Sequence, residues 1–67
     1  MKVRVEFRDA RFNSRTIDGI DYIFLDKGFV ELHSARIDPV TKQKSKEQTD
    51  LVFASPNDAV LYFEVVD

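Results

Sequence analysis

Residues 20–37 read IDYIFLDKGFVELHSARI, and the reading of this stretch decides the fold. Two runs rich in β-branched and aromatic residues, Ile20–Leu25 and Phe29–Ile37, flank Asp26-Lys27-Gly28. Such runs around a short glycine-containing break form a β-hairpin. A three-residue loop ending in glycine suits a type I turn closed through a left-handed residue. Gly28 takes the positive φ that a side chain resists. This loop sets Leu25 opposite Phe29, Phe24 opposite Val30, Ile23 opposite Glu31, Tyr22 opposite Leu32 and Asp21 opposite His33. Side chains alternate along a strand, so Ile20, Tyr22, Phe24, Val30 and Leu32 share an apolar face and read as core. Asp21, Ile23, Leu25, Phe29, Glu31 and His33 share a mixed face. A slip of one residue exchanges the faces of a strand, so the assignment depends on the turn.

On the N-terminal side, Asp18-Gly19 lies between Ile17 and Ile20. Asp-Gly between β-branched residues is a strong two-residue hairpin signal, which would set Ile17 opposite Ile20. The competing reading is a plain connecting turn. Further back, KVRVEFR at positions 2–8 alternates Val3, Val5 and Phe7 with charged residues, the cleanest period-2 pattern in the chain. Residues 9–17 read as a loop, or as a weak strand from Phe12 to Ile17.

On the C-terminal side, Asp38-Pro39 suits the start of a type I turn, and the following KQKSKEQTD is wholly polar. An extended arm there would show Lys42, Lys44 and Lys46 on one side. Leu51–Ala54 reads as a short strand. Ala59–Val66 is apolar at nearly every position. Ser55-Pro56 could open a short helix near 56–63, but Val60, Tyr62, Phe63, Val65 and Val66 favour a strand.

The expected architecture is therefore all-β, with five or six antiparallel strands in a small meander. It forms a curled sheet or a barrel of the SH3-like or OB-like kind. At 67 residues the chain makes one domain, 1–67. A chain this short buries only about 60% of its unfolded surface. It has no cysteine, so a reducing, cytoplasmic compartment is expected. No run approaches the roughly 18 apolar residues of a membrane-spanning helix, and no membrane partner is expected.

Charge is distributed unevenly within a net −2. Residues 1–16 carry five bases against Glu6 and Asp9, while residues 51–67 carry Asp58, Glu64 and Asp67 with no base. The two ends attract most if the first and last strands are neighbours.

Few chemistries fit these residues. His33 is the single imidazole; opposite Asp21 it forms a cross-strand pair rather than a catalytic base, because no nucleophile is placed beside it. Asp18, Asp21 and Asp26 lack calcium-loop spacing, and Gly19 and Gly28 form no phosphate-cradling run. No catalytic residue, metal site or cofactor is expected. What remains is surplus apolar surface, since one small interior cannot cover both faces of strands 20–25 and 59–66. The expectation is a non-enzymatic, regulatory binding module that contacts another protein, or a second copy as a homodimer, through Ile23, Leu25, Phe29 and Tyr62. Residues 9–17 folding over that face would remove the need. The alternative is a nucleic-acid binder using Arg4, Arg8, Arg11, Arg15, Lys42, Lys44 and Lys46, with Phe12 and Tyr22 as stacking surfaces. A pI near 5.3 weighs against it.

Overall fold

A computed structural model describes residues 1–67. Six strands form: β1 (Val3–Phe7), β2 (Arg15–Ile17), β3 (Tyr22–Asp26), β4 (Phe29–Ile37), β5 (Lys44–Pro56) and β6 (Val60–Val65). They make two antiparallel three-stranded sheets, ordered β2-β1-β6 and β3-β4-β5. The all-β expectation holds, and the barrel does not close. No helix is long and apolar enough to cross a membrane.

The first and last strands are indeed neighbours. β1 lies between β2 and β6, with Val3 opposite Val65 and Val5 opposite Phe63. Arg4, on the wet face of β1, lies 3.8 Å from Glu64. Residues 56–63 hold one 3₁₀ turn, Asn57–Ala59, with Pro56 at its N-cap and no side-chain cap. The run after it is strand, as its β-branched and aromatic residues favour.

Two features correct the sequence reading. Asp18-Gly19 joins the two sheets instead of closing a hairpin. Ile17 pairs with Val3 and Ile20 exchanges main-chain hydrogen bonds with Met1, both along the β1 side, and Asp21 then makes the first bond to the other sheet, donating its N–H to the His33 carbonyl. The central hairpin closes through two residues, not three: Asp26 faces Phe29, and both Lys27 (φ 50°) and Gly28 (φ 80°) are left-handed. That is the type I′ geometry whose twist matches paired strands. It shifts β3 by one residue against β4, so Leu25 faces Val30, Ile23 faces Leu32 and Tyr22 faces His33. On β4, Val30 and Leu32 are buried as expected. On β3 the faces exchange: Ile23 packs against the core, and Tyr22 and Phe24 lie outside it.

The core is small. Val3, Val5, Ile20, Val30, Leu32 and Val60 are its buried apolar side chains, flanked by Phe7, Ile17, Ile23, Phe53 and Phe63. Beyond His33, β4 and β5 continue as a two-stranded arm with no third strand on either side. The molecule measures 45 × 26 × 14 Å by its Cα atoms.

Candidate functional site

An open pair of sheets leaves four edges: β2 and β6 in one sheet, β3 and β5 in the other. Natural proteins protect such edges by brevity, charge, proline or bulges. β2 has three residues. β6 shifts register where Glu6 and Phe7 meet it, leaving Leu61 unpaired. β5 carries Lys44, Lys46, Glu47, Asp50 and Pro56 and shifts register twice. β3 pairs with β4 without a break over all five residues and reads YIFLD. It has no lysine, proline or bulge, and one charge, at its end.

The backbone of β3 is open on its outer side. The turn pair Asp26/Phe29 is hydrogen-bonded, and alternation along an antiparallel ladder turns the main-chain groups of Phe24 and Asp26 toward β4. Those of Ile23 and Leu25 point away, where no strand lies. Leu25 is 66% exposed, Phe29 45% and Phe24 39%. Phe24 stands between two rings, stacked on Tyr22 at 6.1 Å and edge-on to His33 at 4.7 Å.

Asp21 holds the start of this edge. Its Oδ2 accepts the Ala35 N–H at 2.7 Å, and its Oδ1 accepts from Lys44 Nζ at 2.6 Å. These two contacts, the backbone bond first, hold the Asp21 carboxyl below its ordinary range, and the hydrogen bond to Asp21 holds the Lys44 ammonium above its own. His33 therefore does not pair with Asp21. Its ring nitrogens lie 2.9 Å from Glu31 Oε1 and 3.0 Å from Thr49 Oγ1, so both are engaged.

Of the residues expected to bind protein, Ile23 and Leu25 share this edge on the inner face of β3. Phe29 lies at the same end of the hairpin on the outer face, with Phe24. Tyr62 stands apart on β6, in a cleft of about 610 Å³ that Arg8 and Gly28 also line. Residues 9–17 do not cover Leu25 or Phe29. They turn back onto β1, where Phe12 meets Phe7 edge-on at 6.1 Å, and reach the far strand of the other sheet, where the Arg15 guanidinium lies over Phe53 of β5 at 5.3 Å. Phe24, which the three-residue loop places in the core, is the apolar residue of this edge that sequence reasoning misses. The signal was present in Lys27-Gly28, which also reads as a two-residue loop.

The cations are dispersed. Arg4 bonds Glu6 at 2.8 Å, Arg11 bonds Asp9 at 2.7 Å and Lys44 bonds Asp21. The hydrogen bonds to Glu6 and Asp9 raise the two guanidinium pKa values further. Lys42 sits in the arm's turn with left-handed φ, and Lys46 lies in the irregular stretch of β5. The three lysines thus form no single row, while Arg8 and Arg15 make no ion pair. No model of a known protein family matches the chain, and neither the curated proteins nor the solved structures hold a significant match to it.

Proposed function

We propose that this protein is a non-enzymatic binding module that acts by protein–protein contact, adding an extended strand of another polypeptide to its β3 edge. The observation that supports it is the unpaired, unbroken edge Tyr22–Asp26, with Ile23 and Leu25 offering main-chain groups and Leu25 and Phe24 offering apolar surface. Strand addition draws affinity from main-chain hydrogen bonds and specificity from alternate side chains. The other three edges carry the usual obstacles to it. The nucleic-acid reading ranks second because three of its seven cations are already neutralised by carboxylates, and a phosphate-binding surface needs them available.

Selection from a displayed library of random extended peptides tests the proposal. Peptides should be enriched on the wild-type protein, and their binding should be lost in Leu25→Lys. That change puts a charge on the edge while leaving the β4 pairing alone. Peptides that bind both proteins equally, or no enrichment at all, would sink it.

A further inference from the structure

Resting on that reading, we infer that the strand which takes the β3 edge is β3 of a second copy of this chain, antiparallel, with the two-fold axis at Phe24. Two observations carry it. The first is which main-chain groups point outward. Only Ile23 and Leu25 offer theirs within the strand, so a partner must bring outward groups to these positions. An antiparallel copy centred on Phe24 does so: Ile23 of each copy meets Leu25 of the other and exchanges both hydrogen bonds. That makes four main-chain bonds in all. This register uses the whole of β3, because Phe24 is the middle of Tyr22–Asp26.

The second observation is chemical self-complementarity. In this register Phe24 faces Phe24 in the closer, non-hydrogen-bonded type of pair, and aromatic cross-strand pairs are favourable. Tyr22 of one copy faces Asp26 of the other, so no like charges oppose one another within the strand. Continuing the register past the strand sets Lys27 opposite Asp21. A centre at Ile23 or Leu25 would leave one end of each strand unpaired. The product is a continuous six-stranded antiparallel sheet, with each copy's Tyr22–Phe24–His33 ring cluster meeting the other at the axis.

The test uses the full chain. Sedimentation equilibrium at about 100 μM chain would populate a dimer held by a Kd of about 10 μM. At that Kd about four-fifths of the chain is dimeric, so the wild-type protein should show a weight-average mass of about 1.8 times the 7.8 kDa chain mass, and Leu25→Lys, confirmed folded by circular dichroism, should show the chain mass. The register is tested separately by cross-linking, since the chain has no thiol of its own. Facing residues in a non-hydrogen-bonded pair lie within disulfide reach. Phe24→Cys should therefore form a disulfide-linked dimer on mild oxidation at least tenfold faster than Val40→Cys, a thiol at an exposed loop position. A wild-type monomer, a dimer that survives Leu25→Lys, or equal cross-linking of the two cysteine variants would each overturn the inference. The wider reading fails on a different result. A monomer that still selects peptides through β3 leaves the docking edge standing and removes only self-pairing.

Discussion

Asp21 shows how one side chain ties distant parts of this chain together. Its carboxylate takes a main-chain N–H of β4 and the ammonium of Lys44, which sits 23 positions further along, at the turn end of the arm. Because both contacts favour the charged form, its folded pKa lies below the unfolded value. The stability it supplies is therefore complete above the ordinary carboxylate range, about 3.9, and is lost as pH falls through the lowered value. Urea melts from about pH 5 down to pH 2 should show wild-type stability falling with acid. Asp21→Asn should be less stable at neutral pH and show a shallower fall. The slope should persist in part, because Asp9 and Asp50 are held low by Arg11 and Arg36 in the same way. An unchanged slope in the variant would show that Asp21 does not govern it. His33 belongs to this scale too: with both nitrogens bonded to Glu31 and Thr49, it braces the outer face of its sheet.

At the scale of elements, the Lys27-Gly28 turn decides which face each β3 residue shows. Two left-handed residues in succession fit a two-residue loop, whereas the three-residue loop needs only the last. Gly28 has no atom close enough to obstruct an added Cβ, so a side chain there would meet backbone strain and no clash. Gly28→Ala should cost about 1 kcal/mol of stability, the penalty of a left-handed L-residue, read as a lower urea midpoint with unchanged slope. A neutral result would argue for a turn without positive φ at that position. The same register makes β3 a usable edge. It puts Ile23 on the core, turns the Ile23 and Leu25 main chain outward, and brings Phe24 and Phe29 to the exposed face. The sequence reading had Ile23 and Leu25 together and away from Phe24, which the structure keeps. It had Phe29 with them, which the shifted pairing does not.

For the whole molecule, the thin build and small interior matter most. Six buried apolar side chains serve a 67-residue chain, whose total stability by length alone is roughly 3–10 kcal/mol. Leu32 is fully buried beside Val30 and opposite Phe53. Truncating such a residue costs about 2–5 kcal/mol, a large share of that total. Leu32→Ala should therefore be partly unfolded at room temperature by circular dichroism, and a cooperative melt at the wild-type temperature would show that the core lies elsewhere. On the proposed self-pairing, association would supply burial that a single copy lacks.

Alternation and composition were enough to determine the all-β class, most of the strands, the inward set Val3, Val5, Val30 and Leu32, and the existence of the central hairpin. These follow from local rules, since side-chain period and β propensity act over a few residues. The pairing of β1 with β6, the passage of the chain from one sheet to the other after Ile20, the exact register of β3 and the failure of the barrel to close were decided only by tertiary structure. Each depends on a choice between nearly equal local options. Asp-Gly closes a type I′ hairpin when both residues are left-handed and links two strands here with only Gly19 left-handed, and Asp-Lys-Gly turns in two residues or three. Long-range packing settles such choices. Ile20 gains a buried place and two hydrogen bonds with Met1 by staying beside the start of β1 before the chain passes to β4 at Asp21, and the two-residue turn sets Ile23 and Leu32 side by side against the core.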